Sequence, residues 1–200
     1  MSGPLTEVAL LLLNTFVNLY VLIVLLRFLL QVVKADFYNP VSQFIVKATN
    51  PVLVPIRRIV PGVGGIDLSS LILAWTVEFI GMGLVYALVY GGQIPPILNL
   101  CGWAIIALIQ TLLNIYMFSI LIIVILSWIA PQSYNPAVLL LHQLTGPMLS
   151  RIRKIMPDMG MLDLSPIVAF LLIQVIEIFL RPIAEAIDFP SKLTQLALGL

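Results

Sequence analysis

The chain has 200 residues, 61% of them hydrophobic and 10% charged, with a formal net charge of +1 and a mean hydropathy of +1.13. Soluble domains carry about 25% charged residues, so this composition excludes a fold that faces water on all sides. The 72 residues from Phe79 to Ser150 contain no Asp, Glu, Lys or Arg at all, and one cysteine, Cys101, excludes an internal disulfide.

Roughly 20 apolar residues cross the hydrocarbon core of a bilayer. The first such span runs over about 8–33 and is broken only by Arg27. No Lys or Arg precedes Arg27, so the positive start of a cleaved signal peptide is not expected. A basic connection follows. Asn39-Pro40 suits an N-cap with proline at the first helical position, and Val41, Phe44, Ile45 and Ala48 recur at helical spacing. Pro51 is expected to end this short helix and begin another, with Ile56 and Ile59 on one side and Arg57-Arg58 on the other. Pieces this short cannot span. A helical hairpin lying in the interface, apolar face down, is the expected arrangement; re-entrant insertion is the alternative.

Pro61-Gly62-Val63-Gly64-Gly65 closes the hairpin, and Asp67-Leu68-Ser69 opens the second span, about 68–90, which contains Glu78. Gly81, Gly83 and Ala87 offer this span a small-residue face, with Gly83 and Ala87 at small-xxx-small spacing. Gly91-Gly92 and Pro95-Pro96 mark a turn. The third span, about 103–130, is uncharged. A second hairpin then carries Asn135-Pro136, the apolar series Ala137, Leu140, Leu141 and Leu144, the breaker Pro147, the cluster Arg151, Arg153 and Lys154, and the closing residues Pro157 and Gly160. The fourth span, about 164–183, begins with Ser165 as the expected N-cap, Pro166 in the first turn and Asp163 just outside. It holds Glu177 and Arg181 at i,i+4 spacing, a common local pair.

A shift of 96 residues lays one half of the chain on the other without a gap. Tyr38-Asn39-Pro40 falls on Tyr134-Asn135-Pro136, Thr49 and Pro51 on Thr145 and Pro147, Arg57 on Arg153, and Asp67-Leu68-Ser69 on Asp163-Leu164-Ser165. Between Tyr38 and Ser69, 14 of 32 positions are identical, and Thr15, Asn18 and Tyr20 match Thr111, Asn114 and Tyr116. The expected division is 1–93 for the first repeat and 94–200 for the second. Two spans per unit keep the copies in one orientation, so they form parallel repeats about an axis along the membrane normal. The basic residues concentrate in the two long connections, which the positive-inside rule places in the cytoplasm, with both termini periplasmic. The expected fold is therefore all-α: four transmembrane helices from two parallel repeats, each with a short amphipathic helical hairpin on the cytoplasmic side of an inner membrane.

The doubled pattern NP…TxP…RR/RK…P…G…DLS resembles the YggT family of bacterial membrane proteins, related to the YlmG proteins of Gram-positives and plastids, over nearly the whole chain. Asn39, Pro40, Pro51, Arg57, Arg58, Pro61, Gly64, Asp67 and Ser69 carry the resemblance in the first copy. Asn135, Pro136, Pro147, Arg153, Lys154, Pro157, Gly160, Asp163, Ser165 and Pro166 carry it in the second. Arg151 stands opposite Pro55, and Met161 opposite Gly65, so the copies depart from each other there. The resemblance implies roles in osmotic tolerance, in the envelope and division, and, for plastid relatives, in assembly of a thylakoid cytochrome complex.

Chemistry is sparse. Arg27, Glu78 and Glu177 lie within spans, where a central charge costs about 2.5–3.5 kcal/mol. Counted from the cytoplasmic ends, Arg27 and Glu78 sit at depths from which long side chains can meet, so they read either as a buried pair or as a proton or cation site. Arg27 falls on Ile123 and Glu78 on Gln174, so no symmetric charged pathway is expected. One histidine, His142, and one distant cysteine make no metal site. No phosphate loop or activated nucleophile is present, so no cofactor and no enzymatic activity are expected. Asp67 and Asp163 read as caps or as partners of the nearby arginines. Arg57, Arg58, Arg151, Arg153 and Lys154 read as a docking or lipid-headgroup surface. The expected function is a scaffold or assembly factor for membrane complexes or envelope organisation. Its expected partners are lipids, another membrane protein and further copies of itself, but not nucleic acid. The alternative is a small channel or transporter in osmotic or ion homeostasis.

Overall fold

A computed structural model describes residues 3–62, 65–130, 133–156 and 163–190. Among the motif residues, Gly64, Pro157 and Gly160 lie outside the described residues. The order is α1 (Pro4–Val32), α2 (Pro40–Ile59), α3 (Leu68–Val89), α4 (Ile97–Ile129), α5 (Pro136–Ile155) and α6 (Ser165–Ala186), with no strand among the described residues. Four of these helices, α1, α3, α4 and α6, are long and apolar enough to cross a membrane. At about 1.5 Å per residue, the 29 residues of α1 and 33 of α4 exceed the hydrocarbon thickness. Both begin earlier than hydropathy alone indicates, because proline stands at or just before their first position and continues into the helix without strain.

The two connections differ from expectation in one respect: each is a single helix, not a hairpin of two. Pro51 and Pro55 lie inside α2, and Pro147 lies inside α5. Pro51 cannot donate to the carbonyl four residues back, which normally ends or kinks a helix. Here the chain runs on because one face, formed by Ser42, Ile45, Thr49 and Leu53, is buried against the rest of the protein along the whole helix. Packing overrides the local penalty. The start of each helix is as expected: Asn39 Oδ1 accepts from Val41 N and Asn135 Oδ1 from Ala137 N, both at 2.9 Å.

Each repeat folds the same way: α2 packs on α1 and α3, and α5 packs on α4 and α6. The principal core joins α1, α3 and α4 through Val21, Val24, Leu25, Leu73, Leu108 and Ile115, with Leu53 and Leu144 reaching in from the connecting helices. A second cluster of Leu10, Met82, Val85, Leu100, Trp103 and Ala107 lies at the opposite end of the bundle, near the α3–α4 turn. That turn places Gly91 and Gly92 at φ +66° and +87°, which only glycine adopts cheaply, and Gly92 N closes the end of α3 by donating to Ala87 O at 2.7 Å. α1 and α3 approach each other closely at Gly81. A Cβ on Gly81 would lie 2.6 Å from Val17 Cγ1, whereas one on Gly83 would lie 3.4 Å from Leu100 Cδ2. Gly81, more than the Gly83–Ala87 pair, sets how near the helices come.

Candidate functional site

The strongest candidate is the corner where each amphipathic helix turns into the following span. In the first repeat, Arg57 forms an ion pair with Asp67, whose side chain is 2% exposed against 40% for the arginine. Ser70 Oγ also donates to Asp67 Oδ2 at 2.7 Å, and Ser69 Oγ donates to Val60 O at 2.6 Å. Burial by itself would raise the Asp67 carboxyl. The hydrogen bonds from Arg57 and Ser70 outweigh it and hold the group below its ordinary value. In the second repeat, Arg153 donates to Asp163 Oδ2 from Nη2 at 2.6 Å and from Nε at 3.0 Å, and Asp163 Oδ1 accepts from Ser165 N at 2.9 Å. Burial again opposes ionisation of Asp163, and the bonds from Arg153 and Ser165 again prevail to lower it.

Two expectations change here. Ser165 is the first residue of α6, not its N-cap, and the capping carboxylate is Asp163. Ser69 likewise closes the corner through Val60 O, not through a free helix N–H. Arg57 and Arg153 are each ion-paired inside their own repeat and stay partly exposed. The exposed cations beside them are Arg58, Arg151 and Lys154, with Lys47 further along α2. Val52 and Ile59 expose apolar surface on a different edge of α2 from Lys47 and Arg58, as an interface-lying helix requires. Tyr38, Tyr134 and Trp128 are exposed at the same end of the bundle, where amphipathic rings suit the boundary between lipid and water.

The two connecting helices also meet each other. Asn39 Nδ2 donates to Pro136 O at 2.7 Å and Asp36 N donates to Gln143 Oε1 at 3.0 Å. Asn39 therefore caps its own helix with one amide atom and ties the repeats together with the other. Pro40 and Pro136 stand at the first position of their helices, and Pro136 also supplies the carbonyl that Asn39 grips.

Inside the spans, Arg27 and Glu78 do not pair. Arg27 Nη1 donates to Thr49 Oγ1 at 2.5 Å, Asn50 Oδ1 at 2.8 Å and Val46 O at 3.3 Å. It holds α2 against α1, and Thr49 passes the hydrogen bond on to Ile45 O at 2.7 Å. Glu78 lies farther from the α2 end, level with Asn14, Val17 and Asn18 of α1, so depth counted from span ends placed the two groups too close together. There Glu78 Oε2 and Asn14 Nδ2, an acceptor and a donor without partners, border a cavity of about 10 Å³. That is room for one water, not for a conduit. Glu177 accepts from Gln110 Nε2 at 2.8 Å, and not from Arg181.

The span carboxylates nonetheless show a correspondence that the sequence reading missed. Gln110 is the 96-residue counterpart of Asn14, and Glu177 corresponds to Gly81, one turn beyond Glu78. Each repeat thus sets an amide of its first helix near a carboxylate of its third. The signal was readable as two amides at one repeat position with a glutamate one turn apart on the facing helix. A groove of about 620 Å³ between α1 and α4 is also built from matched positions, with Thr15, Asn18, Leu22 and Leu26 opposite Thr111, Asn114, Phe118 and Ile122. His142 is exposed, and no group of three metal-ligating side chains occurs among the described residues.

Four apolar helices, two like-oriented repeats and a pair of ion-paired corners define a multi-pass, all-helical repeat membrane protein. The family model described as CCB3/YggT matches residues 6–88 and again 102–184, two segments in the same 96-residue register, and the chain belongs to that family. It is 48% identical over 191 residues to an uncharacterized protein of Pseudomonas aeruginosa, covering 95% of this chain and 97% of that one. It is 36% identical over 175 residues to the uncharacterized protein YggT of Escherichia coli, covering 88% and 90%. A protein of Vibrio alginolyticus is 40% identical over 163 residues, covering 82% and 88%. No solved structure matches the chain.

Proposed function

We propose that this protein is a non-enzymatic scaffold or assembly factor of the bacterial inner membrane, with both termini periplasmic, and that it engages a membrane-protein partner through α2 and α5. The observation that carries the reading is the duplicated corner. Two ion pairs, Arg57–Asp67 and Arg153–Asp163, hold the ends of both amphipathic helices in the same relation to the following span. Charge needed only to orient the chain requires no such shape. A rigid basic edge offered to a partner does, because preorganisation lowers the entropic cost of binding. Arg58, Arg151 and Lys154 form that edge, with Lys47, while anionic headgroups contribute roughly 1 kcal/mol per cation near the surface.

The test separates the edge from the corner. Photo-crosslinkers at Phe44 and Leu139 are placed in intact membranes of cells carrying either the natural chain or a Lys47→Ala/Arg58→Ala/Arg151→Ala/Lys154→Ala variant, which keeps both ion pairs. A discrete crosslinked membrane protein that disappears in the variant at equal expression supports docking. Adducts to lipid alone, or a partner that survives all four substitutions, sink it. The channel reading makes a different demand: Glu78→Gln in sealed vesicles would have to change ion flux.

A further inference from the structure

Within one chain the repeats are joined by a contact that is made only once. Met82 and Val85 of α3 pack with Leu100, Trp103 and Ala107 of α4, and Trp75 Nε1 donates to Cys101 O at 3.4 Å. The 96-residue correspondence gives this contact a twin between α6 and α1, yet α6 makes no comparable packing with α1. Among the described residues, both faces of the twin stand open. Met82 is 4% exposed and its counterpart Ile178 59%; Ala107 is 5% exposed and its counterpart Leu11 64%. Exposure to lipid costs an apolar side chain nothing, so these values acquire meaning only through the repeat: one member of the pair is filled and the other is not.

The two open faces remain complementary. Relative to α4, the α1 face is bulkier, with Val8 for Ala104 and Leu11 for Ala107. Relative to α3, the α6 face is smaller, with Leu171 for Trp75 and Val175 for Phe79. The changes offset in volume, which is how cores tolerate substitution. At the outer end the apolar neighbours Trp103 and Val85 are replaced by Glu7 and Arg181, a pair of opposite charge. Both are exposed, and the ion pairs formed among the described residues are those of Arg57 and Arg153.

We infer that the occupant is a second copy of this chain: α6 of each copy packs on α1 of the other, with Glu7 facing the partner copy's Arg181, about a two-fold axis along the membrane normal. A head-to-tail contact that a chain cannot complete within itself closes when two copies exchange it. The result is a homodimer with four repeat units in a ring, each joined to the next by the same kind of helix pair.

The test uses the full chain in native membranes on a Cys101→Ser background. Leu11→Cys and Ile178→Cys variants, differently tagged and co-expressed, should form a disulfide-linked dimer between tags under mild oxidation, while each variant alone gives far less. Glu7→Arg should lower the yield severalfold, and Glu7→Arg/Arg181→Glu should restore it. Both charge sites are exposed, Glu7 in the first turn of α1 and Arg181 in the C-terminal part of α6, and α1–α3 packing can be followed by thermal stability in the same samples. Three results would each overturn the inference: a monomer in nanodiscs without crosslinks, a Leu11→Cys/Ile178→Cys double variant that closes only within one chain, or crosslinks formed equally by either single variant.

Discussion

Asp67 and Asp163 occupy the same repeat position and accept from matching arginines, Arg57 and Arg153, but their surroundings differ. Asp67 is almost fully buried and Asp163 is 44% exposed. Removing a cation from a buried carboxylate leaves a charge that water cannot reach, which costs up to about 3–5 kcal/mol, whereas an exposed pair is worth about 0–1 kcal/mol. Arg57→Ala is therefore expected to destabilise the protein markedly more than Arg153→Ala, measured by thermal unfolding in detergent or nanodiscs. Acid should reproduce the contrast. Both carboxyls are lowered in the fold, so their stabilisation is complete above the ordinary carboxylate value of 3.8 and is lost as pH falls through the depressed value. Asp67→Asn should remove more of that acid limb than Asp163→Asn. A chain with equal losses at both corners would contradict the burial difference.

At the scale of the helix, Gly81 and the prolines teach opposite lessons. The small face on α3 was legible in the sequence, but which glycine mattered was not, because that depends on the rotation of α3 about α1. With Val17 so near, Gly81→Ala must displace a stiff β-branched side chain or push the helices apart, at a cost of about 1–3 kcal/mol. Gly83→Ala meets only ordinary contact and should be nearly neutral. Val17→Ala/Gly81→Ala should recover most of the loss in the same unfolding measurement; failure to recover would mean that the two residues do not share the contact. Local chemistry alone makes Pro51 and Pro147 helix breaks. They are interior helix residues because Leu53 and Leu144 reach the main core and Arg27 grips the α2 backbone from α1.

For the molecule as a whole, the fold places α2 and α5 at one end of the bundle and the Gly91-Gly92 turn at the other. Membrane sidedness follows if the basic residues face the cytoplasm. On a Cys101→Ser background, Arg58→Cys should react with an impermeant thiol reagent only from the cytoplasmic side, and Gly92→Cys only from the periplasmic side; reversed labelling would invert the topology.

The sequence by itself determined the membrane class, the four spans and the repeat, because each rests on a one-dimensional signal: hydropathy over about 20 residues, charge placement and self-similarity at a 96-residue shift. It also pointed to Arg57, Asp67, Arg153 and Asp163, since the hairpin motif brings each pair within ten residues. Only the tertiary structure decided that Arg27 serves Thr49 and Asn50 while Glu78 lies beside Asn14 without a partner, and that α3 covers α4 while α6 leaves α1 open. Those facts depend on how helices rotate and slide against one another. In a bilayer that choice turns on close packing and a few polar contacts, and no pattern along the chain records it.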